Sequence, residues 1–560
     1  MWKLPRLVAS PDAMSKQPHN VRIVGRATSP GIIEGQAFVY RERLAAAPTP
    51  YEISKDQVDQ EMARIEQAME SVLGDLKTST RRMEKRVDAK LAAVFKAHGA
   101  ILKDPTLRQE IRQEVEELVN AEHALSRVFR RWERKFRDMT DQTLSQRAED
   151  VADLGQRLLR HMAGVQTTPL EKMPKGRILV ARRLLPSDTV ALPRRSVVGI
   201  VVEFGGPGSH AALLARGMGI PTVAQGPKVT EQIAEDDWLI VDGFAGEVII
   251  RPDSPTRQRY RQKVADLQAA GSESQRRCHE PARTTDGTPI KVMANVGDRE
   301  DAAAAANCGA EGVGLCRLEQ LYLSRKVPPT SEELLAELRD IFAPLRGKPV
   351  TVRLLDLGGD KPVPFLKLPP EDNPLLGRRG VRLLLSYPDL ITTQLRALLA
   401  FSREQEVHIL VPMVTLVDDI AQIRQRLADV AREVGQEKLP LLGAMIETPA
   451  AALTVADIIR YADFLSIGTN DLTQYTMAAG REDPLVSDYF VQDHPAVLRL
   501  LRIIVEEAGG IPVEVCGELA GQLGAVPTLL KLGIRTLSVA PPLVPGVKQA
   551  VRDTSLAPTT

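Results

Sequence analysis

Between residues 56 and 164 apolar side chains return every three or four positions: Met62, Ile65, Met69, Val72 and Leu76, then Leu144, Ala148, Val151, Leu154 and Leu158. That spacing keeps one stripe of a helix apolar, so the segment reads as helices packed stripe against stripe. Proline nearly vanishes here, and Pro105, after "ILKD", marks a turn between helices. On either side the period changes. "VRIVGRATSPGIIEGQAFVY" before the segment, and "GRILVARRLLPSDTVAL", "VVGIVVEF" and "DWLIVDGFAGEVII" after it, are short β-rich runs broken by Gly, Pro and Asp. The helical segment, 51–164, is therefore expected as a bundle inserted into a small α/β domain split between 21–50 and 165–253. Residues 254–285 are polar and helix-forming, which suits a linker helix.

From 286 to 560 eight apolar runs alternate with helical stretches: "KVMANV", "GVGLCR", "TVRLLD", "ILVPMV", "LGAMIE", "FLSIGT", "VEVCGE" and "TLSVAP". Eight such units imply a (β/α)8 barrel, whose reactive groups collect at the C-terminal ends of the strands. The fold class is thus α/β and multidomain. Arg317, Arg353, Asp356, Glu447, Asn470 with Asp471, and Cys516 stand at or just past those ends.

Composition narrows the partners. A chain of 560 residues exceeds one hydrophobic core, and 43% apolar with 26% charged residues is ordinary for a folded protein. Lys and Arg number 73 against 72 Asp and Glu, so no net field draws nucleic acid or anionic lipid, and an anionic ligand must be caught locally. Cys278, Cys308, Cys316 and Cys516 lack metal-ligand spacing and disulfide density, which fits a reducing, cytoplasmic setting. No apolar run approaches the ~18 residues of a membrane helix, and residues 1–20 read as a loose leader.

Glu447 and Asp471 end consecutive strands, and two carboxylates over a barrel mouth suit a hard divalent cation, Mg²⁺ above all; the alternative is a pair of solvated loop carboxylates. Arg317, Arg353 and Arg481, with Arg379 in "NPLLGRRGVR", supply planar forks for carboxylate and phosphate; any one alone is more often a surface ion pair, and their placement at strand ends or in the loops beyond is what favours binding. Cys516 is either a small buried apolar residue or a thiol placed to give up a proton. His210 follows a glycine-rich turn, "FGGPGSH", and precedes the helical stretch "AALLARGMG". Free backbone N–H groups at such a helix start favour anions, so His210 is either a hydrogen-bonding loop residue or a nucleophile that carries a phosphoryl group.

These stretches resemble Enzyme I of the bacterial phosphotransferase system, within the family of phosphoenolpyruvate-utilising enzymes. "GAMIETPAAA", "FLSIGTNDLTQYTMAAGR" and "CGELAG" are its specific signatures, "GGPGSHAALLAR" is shared more widely, and the likeness runs from about Val21 to Thr554. The resemblance implies His210 as the phosphohistidine, and Arg317, Arg353, Asn470, Asp471 and Arg481 as the phosphoenolpyruvate site. It implies Mg²⁺ on Glu447 and Asp471, and Cys516 as the acid that turns the enolate into pyruvate. It further implies a small histidine phosphocarrier (HPr-like) docking on the helical insertion, a homodimer formed through the barrel, and service in sugar uptake. Three departures stand out: Pro207 and Gly208 where the family has a small hydroxylated residue before Ser-His, "RLEQ" (Arg317 to Gln320) in place of "RTEF", and an end soon after "VKQAVRDTSLAPTT" where the family has a further helix. Two rival functions are an ATP-using dikinase or synthase, which needs a nucleotide-binding domain, and a non-catalytic regulatory scaffold.

Overall fold

The computed structural model describes residues 20–40, 50–84, 98–137, 142–164, 170, 173–185, 188, 196–205, 212, 215, 218–323, 325–358, 365–366, 368–369, 371–481, 486 and 488–557. His210, with Pro207, Gly208 and Ser209, lies outside the described residues, as does the expected leader up to residue 19. The chain forms two units, Met1–Val264 and Ala265–Thr560.

In the first unit β1 (Val21–Val24), β2 (Arg26–Ser29), β3 (Ile32–Tyr40), β4 (Arg177–Ala181), β5 (Val197–Val202), β6 (Thr222–Ala224), β7 (Trp238–Asp242) and β8 (Glu247–Ile250) make one sheet. Its order is β1-β8-β7-β3-β4-β5-β6-β2, with β3 to β6 parallel and the flanking pairs antiparallel. β4 and β5, "RILVA" and "VVGIVV", are almost wholly apolar because both sheet faces are covered. Ile178 and Val180 join one core with Val201 and Val223, while Leu179 and Ala181 join another with Ile200 and Val202.

β3 and β4 are parallel neighbours, Tyr40 opposite Ala181. Between them in sequence lie α1 (Val58–Glu84), α2 (Pro105–Glu116), α3 (Ala121–Arg137) and α4 (Gln142–Met162). The stripe Met62, Ile65, Met69, Val72 and Leu76 packs with Leu107, Ile111, Leu125, Val128, Val151, Leu154 and Leu158 in one cluster. Pro105 begins α2, where no intrahelical N–H is needed, and the Asp104 carboxylate accepts from the Thr106 N–H at 2.8 Å.

α5 (Ser254–Arg276) carries the chain into the second unit, where β9 (Ala282–Arg283) runs antiparallel to β10 (Pro289–Val296). Then follow β11 (Val313–Cys316), β12 (Val350–Arg353), β13 (Val407–Val411), β14 (Leu441–Ile446), β15 (Phe464–Ile467), β16 (Val513–Val515) and β17 (Thr536–Val539). α6 (Thr469–Met477) follows β15, and α7 (Val544–Arg552) follows β17. Each strand from β10 to β17 pairs in parallel with the next, and β17 pairs back to β10 with Lys291 opposite Thr536, so the barrel closes through its own ladder. All eight apolar runs are barrel strands. Lys548 of α7, buried, donates to the carbonyls of Cys278 and Gly309 at 2.8 and 2.7 Å. Among the described residues no helix is long and apolar enough to cross a membrane.

The barrel strands alternate. Val292, Val352, Ile409, Ala444, Leu465, Val515 and Leu537 turn outward into the large core beneath the helices. Leu315, Leu410, Met445, Phe464 and Cys516 turn inward and fill the barrel's middle.

Candidate active site

Parallel strands all end at one rim, and the residues at those ends meet because each strand points its chain there. Arg353 is the last residue of β12, Arg317 follows β11, Glu447 follows β14, Cys516 follows β16, and Asn470 and Asp471 open α6. Arg379 arrives from the long loop after β12, and Arg481 from the segment after α6.

A buried ionic network joins five of the expected residues, Arg353, Asp356, Arg379, Glu447 and Asp471, with Glu319. Arg353 donates from Nη2 to Glu319 Oε1 at 2.8 Å, with Nη1 3.4 Å from Asp356 Oδ2. Arg379 grips Asp356 with two nitrogens, Nε at 3.3 Å and Nη2 at 2.8 Å, and donates from Nη1 to Asp471 Oδ1 at 2.9 Å. Burial by itself would lower both guanidinium pKa values. It is outweighed by Glu319, Asp356 and Glu447 around Arg353 and by Asp356, Asp471 and Glu447 around Arg379, so both values rise. Nε of Arg353 is buried and has no partner among the described residues. A donor left unpaired in such a place is a standing invitation to an anionic ligand.

Glu447 joins the network by its charge, which both arginines feel. Its Oε1 accepts from the Met413 backbone N–H at 2.7 Å, a geometry that holds Met413 at φ 56°, the left-handed region. Gly468 permits the close approach from β15, since a Cβ there would stand 2.7 Å from Glu447 Oε2. Burial, then the negative charges of Asp471 and Asp356, push the Glu447 carboxyl up to about 8. Among the described residues neither Glu447 Oε2 nor Asp471 Oδ2 accepts a hydrogen bond. Two guanidinium groups thus face four carboxyls, an excess of negative charge that a divalent cation would balance. No group of three or more His, Cys, Asp or Glu able to hold a metal occurs among the described residues. The two free carboxylate oxygens fit a hard cation that completes its shell with substrate oxygens and water.

The other expected residues border this network. Arg317 is exposed and makes no side-chain hydrogen bond or ion pair among the described residues; desolvation at the mouth, then Arg353, lowers its pKa. Asn470 Oδ1 accepts from the Glu518 N–H at 3.0 Å and from Gln492 Nε2 at 3.1 Å. Glu518 in turn pairs with Arg481 Nη2, so Asn470 and Arg481 share one support. Cys516 is buried, and Ser466 Oγ donates to its Sγ at 3.3 Å. Burial, then Glu514, pushes the thiol up to about 12. It is therefore a protonated acid near neutrality rather than a nucleophile.

Several pairings in the network escape a reading of the chain. Asp356 stands at a strand end, but its grip on Arg379, 23 residues later, depends on how the intervening loop returns. Glu319 was visible beside Arg317 without its role as counter-ion to Arg353. Met413 carries no signal at all, because its contribution is a backbone N–H.

Comparison with known proteins agrees with this geometry. Residues 271–556 match the PEP-utilising enzyme, PEP-binding domain; 24–147 match the PEP-utilising enzyme, N-terminal; and 173–246 match the PEP-utilising enzyme, mobile domain. The chain belongs to the family of phosphoenolpyruvate-utilising enzymes, and within it to the phosphoenolpyruvate–protein phosphotransferases. It is similar to the phosphoenolpyruvate-protein phosphotransferase of Priestia megaterium, 36% identical over 544 residues, 96% of this chain and 94% of that one. That of Geobacillus stearothermophilus is 37% identical over 491 residues, 86% and 85%. That of Staphylococcus carnosus is 34% identical over 539 residues, 95% and 94%.

Proposed function

We propose that this enzyme moves the phosphoryl group of phosphoenolpyruvate to His210, releasing pyruvate, and then passes it to a histidine of a small HPr-like phosphocarrier at the head of sugar uptake. The observation that carries the reading is the barrel-rim network, in which the buried Arg353 Nε has no partner among the described residues and Glu447 and Asp471 crowd negative charge together. Arg353, Arg317, Arg379 and Arg481 bind the substrate's phosphate and carboxylate, with Asn470 and Asp471 beside them. Glu447 and Asp471 hold Mg²⁺, which supplies charge neutralisation for the transferring group. The substrate's phosphorus–oxygen bond breaks as a neutral His210 ring nitrogen bonds to phosphorus, and the arginines hold the enolate oxygen. Cys516, protonated and buried, gives its proton to the enolate carbon to make pyruvate. The helical insertion, 51–164, is the docking site for the carrier, and the barrel unit forms a homodimer.

Incubation with phosphate-labelled phosphoenolpyruvate and Mg²⁺, without ATP, tests this. The expected product is an acid-labile, base-stable phosphoprotein plus one equivalent of pyruvate, absent from His210→Ala and suppressed by a chelator. Labelling that requires ATP would favour the dikinase reading, and no labelling at all the scaffold.

A further inference from the structure

One buried carboxyl in the barrel has no place in that mechanism. Glu514, on β16, points into the barrel two residues before Cys516 and keeps only 8% of its surface exposed. Its Oε1 is buried without a partner among the described residues. Its cross-strand neighbour on β15 is Ser466, in direct register. The Ser466 hydroxyl, on the strand position opposite Glu514, acts to lower the Glu514 pKa and donates to Cys516 Sγ at 3.3 Å. One hydroxyl, which can accept and donate at once, therefore stands between a carboxyl and a thiol.

The surroundings leave Glu514 few other dealings. The titratable or charged groups on the inward positions of the barrel are Lys291 on β10, Arg353 on β12, His408 on β13, Glu447 after β14 and Cys516 after β16, with Arg317 at the mouth after β11. The inward polar side chains of β15 and β17 are Ser466, Thr536 and Ser538, none of them charged. His408 pairs with Glu406 at 3.3 Å, Arg353 with Glu319, and Glu447 with Met413. Cys516 is the group that feels the Glu514 charge.

We propose that Glu514 is the proton reservoir of the site, restoring the Cys516 thiol through Ser466 after each pyruvate forms. This rests on the reading of Cys516 as the acid that protonates the enolate. Donation leaves a buried thiolate. The Ser466 O–H bond gives its proton to Sγ while the Glu514 carboxyl gives its own to Ser466 Oγ, leaving a carboxylate that takes a proton from water. No electrons move and no other reactant is needed. Direction follows from the two acids: burial raises Glu514 to about 7, far below the thiol's value of about 12, so the proton runs downhill to sulfur. Glu514 acts through Cys516 and does not touch substrate.

The test separates proton supply from chemistry with the full-length enzyme, Mg²⁺, phosphoenolpyruvate and pyruvate in deuterium oxide. Carbon-labelled pyruvate exchanging into phosphoenolpyruvate measures phosphoryl transfer. Deuterium entering the C3 position measures how often the thiol exchanges its proton with solvent. In Glu514→Gln and in Ser466→Ala the ratio of deuterium entry to carbon exchange should fall about tenfold or more, with carbon exchange and the KM for phosphoenolpyruvate little changed. In the wild type that ratio should decline as pH rises through about 7, and the decline should vanish in Glu514→Gln. An unchanged ratio in both variants, or carbon exchange falling in step with deuterium entry, would overturn the proposal, the second result making Glu514 a packing residue. Wild-type enzyme that exchanges no carbon label would instead overturn the reading of the site beneath it.

Discussion

Each unit buries a carboxyl whose pKa is raised, and the two are handled differently. Asp188, in the first unit, has both oxygens taken: Oδ1 by the Tyr40 hydroxyl at 3.0 Å and Oδ2 by the Leu185 N–H at 3.0 Å. Burial and then Asp153 raise it to about 6, while those hydrogen bonds and Arg160 hold it down. Glu447, in the barrel, has one oxygen taken and carboxylates for neighbours, and burial with Asp471 and Asp356 carries it to about 8. Glu61 of the bundle resembles Asp188, with Oε2 accepting from the Ala121 N–H and Oε1 from Arg64, both at 2.8 Å. A closed set of partners marks a charge that serves the fold. An open one, with unused oxygens and excess negative charge, marks a charge kept for a ligand.

The comparison breaks most visibly at Glu447. Glu447→Gln keeps the acceptor for Met413 but removes the charge, so phosphoenolpyruvate-dependent labelling should fall roughly 10³-fold, the several kcal/mol a metal site supplies, without loss of barrel stability. A variant that labels normally but melts early would move Glu447 to the structural class. Asp356→Asn should do both kinds of damage, because it strips the shared counter-ion from Arg353 and Arg379. Breaking such a buried pair costs about 3–5 kcal/mol, to be read as a lower denaturant midpoint for the barrel together with a raised KM.

Asp188 sharpens the contrast through pH. Its folded value, about 6, exceeds the ordinary 3.8, so the folded state binds the proton more tightly. The resulting stability is full below about pH 4 and is lost as pH rises through 6, a change of about 3 kcal/mol. Hydrogen exchange in β4 and β5 should report that loss, and Asp188→Asn should abolish its pH dependence; equal slopes in the two proteins would show Asp188 to be solvated. The smallest effect is expected at Glu61. Glu61→Ala should cost the bundle about 1 kcal/mol, since Arg64 is partly exposed, and leave labelling by phosphoenolpyruvate unchanged.

Much of this was legible along the chain. All eight barrel strands were visible as apolar runs bounded by Gly, Pro and charge, because a strand buried beneath helices must be apolar on its outward face and end where the chain turns. The bundle was visible because its period is that of a helix stripe. Arg317, Arg353, Glu447, Asn470, Asp471 and Cys516 were legible as a set because strand ends converge by topology, and His210 lies outside the described residues. The partners of those residues were hidden. Glu319, just after β11, meets Arg353 at the end of the neighbouring strand β12, and Asp356 meets Arg379 only once the loop after β12 has folded back.

Periodicity and the residue types at strand ends determined by themselves the α/β class, the closed parallel barrel, the inserted bundle and the rim on which charge would gather, since these depend on local spacing and on the direction of parallel strands. Only the tertiary structure decided which polar atoms meet and which, among the described residues, do not: the buried Nε of Arg353 and Oε1 of Glu514 left without partners, the Met413 N–H turned onto the Glu447 carboxylate by a left-handed backbone, and Glu514 set beside Ser466 inside the barrel. Hydrogen bonds form over about 3 Å, and whether a polar atom finds a partner at that range depends on packing between strands far apart in sequence.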